Sequence, residues 1–440
     1  MVAVYEYSPE SVESILSYAQ GLMGKTLAEA VKDFSEVENN SNRGSLGTMV
    51  QNLYFGLQSD GKSEPDFAEA GLELKTTGVT RHSTQEFVAK ERLVLMMIDF
   101  ETIVDEQWET SALLKKCRLI LLLAYLYEKD TSIFNRRFVL GPYLLDLMAE
   151  DFPSLKSDWE AIRDKVAQGK AHELSEGDTF LLGACRKGPG GPTEKLRSQP
   201  LSATKAKARA FSFKQSFLRQ LLPSLAAKEP LLASIDVIRD VPKQAFDRLR
   251  GQSVEDISSH FSYFKSSPSQ KGFHRQLAER MLVEGGSSVA ELKKVGIEMK
   301  TIRLRNAGTP REAMSFPGFK FLDIIHEDWE ESSFFRKIES KFLMVVYKPD
   351  KHGVERLEKA AYWNMPYSDR EEARRVWEET KARVQVDAKS LPKSAESTVA
   401  HVRPKGRNGR DRIPTPQGDM QLKQCFWLNA AYVAKILQAL

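Results

Sequence analysis

The sequence predicts a mixed α/β protein assembled from two tandem copies of one unit. Three observations predict it: apolar residues at helical spacing near the start, short Val-, Leu- and Ile-rich stretches between turn formers soon after, and a second appearance of the same blocks in the latter half. Within residues 8–34, Val12, Ile15, Leu16, Tyr18 and Ala19 recur at helical intervals, and Leu27, Ala30 and Val31 do so after Gly24, which predicts two helices. Residues 72–79 and 87–100 are short apolar stretches bounded by Gly, Asp and Ser, which predicts strands. The apolar run at 119–127 reads as a buried strand or helix, being far shorter than the ~20 residues that cross a bilayer.

The repeat carries the domain organisation. DFAEAGLELKTTGV, from Asp66, returns as ELKKVGIEMKTIRL, from Glu291, matching Gly71 with Gly296, Glu73 with Glu298, Lys75 with Lys300 and Thr76 with Thr301 at a constant offset. WETSALLKKCRLILLLAY, from Trp108, is echoed by WEESSFFRKIESKFLMVVY, from Trp329, and SDWEAIRDKV around Trp159 by RVWEETKARV around Trp377. LRSQP followed by FSFKQSF around Lys214 is echoed by HVRPK followed by LKQCFWL around Lys423. Four blocks in one order imply two copies, residues 1–230 and 240–440, and 440 residues is a natural length for two or three domains at roughly 150 each. The four repeated tryptophans are most simply core anchors.

Composition excludes some classes. Charged residues at 28% and hydrophobic ones at 41% are globular values, not those of a disordered chain. Three scattered cysteines suit neither a disulfide framework nor a zinc site, and with no secretory signal at the start they lead us to expect a cytoplasmic protein without a membrane partner. Lys and Arg number 64 against 60 Asp and Glu, so affinity for a polyanion has to come from placement. Residues 186–219 hold nine basic residues (Arg186, Lys187, Lys195, Arg197, Lys205, Lys207, Arg209, Lys214 and Arg219) against Glu194 alone. Residues 401–424 hold six (Arg403, Lys405, Arg407, Arg410, Arg412 and Lys423) against Asp411 and Asp419. With Pro and Gly between them, both segments are expected to be basic loops ahead of a closing helix, reading bases with arginine and neutralising phosphates with lysine; the ordinary alternative is a solvated connection.

The chemistry-bearing pattern is PDFAEAGLELKTT. Side chains alternate along a strand, so Glu73 and Lys75 share one face while Leu74 points to the core. A turn at Gly71 would bring Asp66 beside Glu73, and two carboxylates with the intervening Leu74 carbonyl are hard oxygen ligands of the kind Mg²⁺ takes. Lys75 is then placed to orient or help deprotonate an attacking water, with a cation nearby to lower its pKa. On spacing alone, an acid and a lysine two apart are more often a solvated surface pair. Of the histidines, His172 reads as a hydrogen-bonded structural residue and His401 as a candidate phosphate contact.

The blocks RGSLG, PDFAEAGLELKTT, KERLVL, WETS, DWE, GKAHELSEGDT, LRSQP and KAKARAFSFK, in this order, resemble the MutH family of GATC-specific endonucleases, and most of all its two-copy members, the Sau-type type II restriction enzymes. The resemblance covers nearly the whole chain and is strongest over residues 43–220. It implies a restriction-endonuclease-like fold in each copy, a central mixed sheet flanked by helices, and Mg²⁺-dependent cleavage of double-stranded DNA at GATC. It also implies a second copy that binds DNA without cutting and regulates the first. By the family motif Asp66 and Glu73 are metal ligands, Lys75 is the catalytic lysine and Lys116 a further active-site lysine, while Arg197 and Lys214 fall where DNA is contacted. Lys205, Lys207 and Arg209 join them from the first basic segment, and Arg403, Lys405, Arg407 and Lys423 from the second. The family's helix glutamate is replaced by Gln51, which can hold a water but cannot act as a base. The second copy offers Glu279 at the helix position, Glu291 in place of Asp66, and both Glu298 and Lys300; we read it as an inert pseudo-site, with a second cutting centre as the alternative. A palindromic target and one cutting centre per chain imply a monomer that pairs on DNA, or sequential nicking. A catalytically inactive DNA-binding regulator and a repair nickase remain the rival readings.

Overall fold

The computed structural model describes residues 6–31, 46–58, 63–81, 86–149, 153–188, 194–228, 235–262, 264, 266–406 and 408–440. Arg407, residues 43–45 of the RGSLG block and most of the Gly/Pro run at 188–192 therefore lie outside the described residues. The chain divides into two compact units, Met1–Ala233 and Ser234–Leu440.

In the first unit the strands are β1 (Leu72–Arg81), β2 (Phe87–Ala89), β3 (Leu93–Met97), β4 (Leu119–Leu126), β5 (Phe138–Asp146), β6 (Leu182–Arg186), β7 (Arg197–Gln199), β8 (Ser202–Ala206) and β9 (Arg209–Phe213). A mixed sheet runs β2-β1-β4-β5, and a separate antiparallel sheet runs β3-β9-β6. The run at 119–127 resolves as β4, buried along almost its whole length, which is what a continuous apolar run gives when neighbours cover both faces. It pairs in parallel with β1, setting Glu73 opposite Ile120 and Lys75 opposite Leu122. Helix Val12–Ala19, capped by the Ser11 side chain on the Ser14 N–H, and the short helix Leu27–Ala30, closed by a Thr26/Glu29 capping box, form where the spacing places them. Their buried faces join Leu72, Leu74, Leu121 and Leu123 in one core cluster.

The second unit contains β10 (Ile297–Arg303), β11 (Met314–Phe319), β12 (Lys341–Pro349), β13 (Glu355–Trp363), β14 (Ala400–Pro404), β15 (Arg412–Pro414), β16 (Met420–Leu422) and β17 (Gln424–Leu428). Its sheet β10-β12-β13 again starts from a parallel pair followed by an antiparallel one, and β11-β17-β14 forms a second, antiparallel sheet. Each unit thus divides its strands between two main sheets, not a single central one. A tilted tryptophan pair recurs as well: Trp108 and Trp159 have ring centroids 5.9 Å apart, Trp329 and Trp377 5.6 Å, all four buried.

The two basic segments are corrected by the fold. Neither is a simple loop: the first forms the hairpin β7–β8 and strand β9, and the second forms β14 and the hairpin β15–β16. Helices Gln215–Ala227 and Ala430–Ala439 follow them. Pro and Gly suggested irregular chain, but pairing with partner strands decides the outcome in favour of sheet: β9 lies between β3 and β6, and β14 pairs with β17. Among the described residues no helix is long and apolar enough to cross a membrane.

Candidate active site

At the start of β1, Gly71 adopts φ +63°, a backbone that L side chains rarely take, and the chain turns so that Phe67 and Leu72 bond each other's backbones. The turn returns Asp66 to the strand. Its Oδ2 accepts the Leu74 N–H at 3.0 Å, and the Asp66 N–H donates to Glu73 Oε2 at 3.1 Å. Gln51, on a π-helical turn over Val50–Tyr54, donates its side-chain amide to Asp66 Oδ1 at 2.7 Å. Lys75 donates to Glu73 Oε1 at 2.6 Å, while Leu74 packs into the core.

Lys116 arrives from helix Ala112–Cys117, whose N-cap Ser111 accepts the Leu114 N–H and whose Leu113, Leu114 and Cys117 are buried. Its ammonium donates to the Glu64 carbonyl at 2.9 Å and stands 3.8 Å from Glu73 Oε2. The four residues Asp66, Glu73, Lys75 and Lys116 thus meet at one place. Asp66, Glu73 and Lys75 open, with Gln51, into a cavity of about 470 Å³.

The electrostatics are unequal. Burial, and next the negative charge of Glu73, push the Asp66 carboxyl up to about 6. For Lys75, burial is the largest single influence and favours the neutral amine, but the negative groups around it, Glu73 foremost, together hold the ammonium above its ordinary range. Without a cation, Lys75 is thus held charged, suited to orienting a water or steadying negative charge.

The charge repulsion between Asp66 and Glu73 also tests the fit to a divalent ion. Among the described residues no three His, Cys, Asp or Glu side chains converge, so the protein offers two carboxylates. Mg²⁺ is commonly held by one or two carboxylates with waters and substrate phosphate completing the set, so the donor set fits it.

Residues not singled out from the sequence complete the cavity. Thr48, Glu91 and Arg92 line it, as do Arg186 and Lys187 from the end of β6. Arg186 is bonded to Glu194 at 2.6 Å and Arg92 to Glu176. Only Arg186 and Lys187 left a trace in the sequence, as part of the first basic segment.

The expected DNA-facing residues separate into two groups. Arg197 and Lys205 are exposed on the β7–β8 hairpin, and Lys207 is half-buried near Glu194. Arg209 and Lys214 are buried and turned inward: Arg209 donates to the carbonyls of Ala184 at 3.0 Å and Leu174 at 2.7 Å, and Lys214 to those of Glu176 and, at 2.6 Å, Thr179. In the DNA-free chain these two brace the core. Lys214→Met is therefore expected to lower stability by about 2–4 kcal/mol, by leaving buried carbonyls unsatisfied, with DNA affinity of the folded fraction nearly unchanged. Denaturant unfolding beside a binding titration checks this, and unaltered stability with weakened binding would contradict it. His172 bonds the Gln199 amide at 3.0 Å, a structural contact.

In the second unit Glu298 is bonded to Lys300 at 2.9 Å and to Lys337 at 3.2 Å. Lys337 occupies the place in the repeat that Lys116 has in the first, a match available in the echoed Trp block but passed over. Burial would raise Glu298, yet Lys300 and Lys337 outweigh it and hold it below the usual carboxylate range. Glu279 is ion-paired with Arg275 on its own helix, and Glu291 lies in the first turn of helix Val289–Lys294. Arg403 is exposed and lies over the Trp427 ring, Lys405 donates to the Phe316 carbonyl, and Lys423 is paired with Asp411. His401, expected as a candidate phosphate contact, is buried against Asn429.

The family model of the DNA mismatch repair enzyme MutH matches this chain at residues 55–158 and again at 283–375, once in each unit. The type II restriction enzyme Sau3AI of Staphylococcus aureus is 30% identical to it, over 97% of this chain and 98% of the relative. The DNA mismatch repair protein MutH of Shewanella woodyi is 24% identical over 49% of the chain and 93% of its own length. That of Shigella flexneri is 30% identical over 38% and 72%. Fold and matches together define a site-specific deoxyribonuclease of the restriction class. The chain belongs to the family of MutH and the Sau-type type II restriction enzymes.

Proposed function

We propose that this restriction endonuclease cuts both strands of DNA at GATC, with Mg²⁺, from a single centre in the first of two tandem copies of one nuclease unit. The observation that carries the reading is the return of Asp66 to β1, its N–H donating to Glu73 Oε2 at 3.1 Å and its Oδ2 accepting the Leu74 N–H at 3.0 Å, beside Lys75. Asp66, Glu73 and the Leu74 carbonyl would hold the cation, which when bound supplies charge stabilisation at the scissile phosphate and makes a nearby water more acidic. Gln51 holds Asp66 at its Oδ1, so the amide standing where the family has a glutamate positions a carboxylate. Lys75, kept as an ammonium by Glu73, orients the attacking water, and Lys116, anchored on the Glu64 carbonyl, steadies the phosphate's negative charge. Arg197 and Lys205, with Lys207, follow the backbone from the β7–β8 hairpin.

The second copy binds DNA without cutting. Its one retained carboxylate on β10, Glu298, is already balanced by two lysines, and the repulsion between acids that invites a cation in the first unit has no counterpart acting on it. Arg403, Lys405, Lys423 and Arg407 would supply its phosphate contacts, and two chains pair on a palindromic site, in the cytoplasm.

Digestion of circular DNA bearing one or two GATC sites tests this. The proposal predicts linear product with Mg²⁺, faster cutting of the two-site circle, and unchanged chemistry at saturating DNA for Glu298→Gln. Nicked circles that never become linear would instead favour the nickase reading, and loss of cutting in Glu298→Gln would restore a second active centre.

A further inference from the structure

At the tip of the β7–β8 hairpin, Leu201 combines two unusual properties. It is 88% exposed, and its φ of +55° lies in the left-handed region that suits glycine, not leucine. A single exposed leucine is ordinary; one held in that backbone is not. The turn is also fixed to the body of the unit. Gln199, 5% exposed, accepts the Ala171 N–H at 2.6 Å and donates its amide to the Thr204 carbonyl across the hairpin. The turn backbone lies so close to Gly169 that a Cβ there would come within 3.0 Å of the Leu201 carbonyl. The side chain of Leu201 is thereby presented outward from a braced support, with the exposed cations Arg197 and Lys205 on the two strands behind it.

Cations that take phosphates on either strand of a hairpin direct its tip into a groove. The apolar group that the floor of the major groove offers is the 5-methyl of thymine. We infer that Leu201 is a specificity-determining residue that packs on a thymine methyl of the recognition site. This rests on the reading of the chain as a GATC-cutting enzyme.

Leu201→Gly keeps the turn, since glycine accepts the left-handed backbone, and its melting temperature is expected to match or exceed that of the wild type. Cleavage is measured for the wild type and Leu201→Gly on duplexes carrying thymine or uracil in the site, uracil lacking only the methyl. The wild type is expected to lose about 3- to 10-fold in kcat/KM on uracil DNA, the scale of one buried methyl contact. Leu201→Gly should show a similar loss on thymine DNA and no further loss on uracil DNA. A variant that cuts thymine DNA as well as the wild type, or one whose loss multiplies with that of uracil, overturns the inference. Failure of the wild type to cut the thymine duplex at all would instead count against the underlying reading.

Discussion

Asp66→Ala is expected to reduce cleavage by about a thousand-fold or more while DNA binding stays within about threefold. Asp66 is one of the two carboxylates brought together at the start of β1, and it is held from three sides: by Gln51, by the Leu74 N–H and through its own N–H to Glu73. Its removal leaves Glu73 facing Lys75 and Lys116, an arrangement much like that of Glu298 with Lys300 and Lys337. The variant thereby turns the first unit's site toward the charge balance of the second. Binding is spared because no cation that meets phosphate is lost. A gel-shift titration run beside plasmid cleavage separates the two effects, and equal loss of both would show that Asp66 serves folding and not chemistry.

The same carboxyl gives a pH dependence whose sign follows from its direction. Its pKa is raised, by burial first and by Glu73 second, to about 6, so the folded chain favours the protonated form. Without divalent ions, the contribution of this group to stability is therefore full below the ordinary carboxylate range and is lost as pH rises toward and through about 6. Cleavage needs the ionised form, which a bound cation favours, so at saturating Mg²⁺ activity should rise at lower pH than this metal-free change in stability.

Lys75→Met is expected to cost about 10²- to 10⁴-fold in kcat with little change in DNA affinity. Lys75 is mostly buried, bonded to Glu73 at 2.6 Å, and among the described residues no other ammonium stands as close to that carboxylate. Methionine keeps the length of the chain and removes the charge, leaving Glu73 with the more distant Lys116 as its remaining cation. Lys116→Met, on a residue anchored to a carbonyl and 3.8 Å from Glu73, should cost roughly tenfold less. Single-turnover rates at saturating DNA and Mg²⁺ check the pair, and the reverse ranking would exchange the roles given to the two lysines.

Much of the site was legible because it is local. Asp66, Glu73 and Lys75 lie within ten residues, strand alternation fixes which of them share a face, and one glycine closes the turn between them. Lys116 needed the family motif, since its approach depends on the packing of a separate helix against β1. Arg209 and Lys214 show what composition alone conceals. Both sit in the most basic stretch of the chain, yet one ends on carbonyls of the chain around Leu174 and Ala184 and the other on those of Glu176 and Thr179, segments far from them in sequence. Net charge counts such residues as surface; only tertiary contact reveals that they are braces. Strand β14 of the second basic segment was missed for a related reason, because its pairing with β17 joins residues twenty or more positions apart.

The central claim is that Asp66 and Glu73 together hold a divalent cation in the first unit and that nothing equivalent exists in the second. Calorimetric titration of Mg²⁺ into the DNA-free chain tests it most directly. The account predicts one binding event per chain at neutral pH, absent in Asp66→Ala and intact in Glu298→Gln. Undiminished binding in Asp66→Ala, or a binding event that disappears only with Glu298, would contradict it.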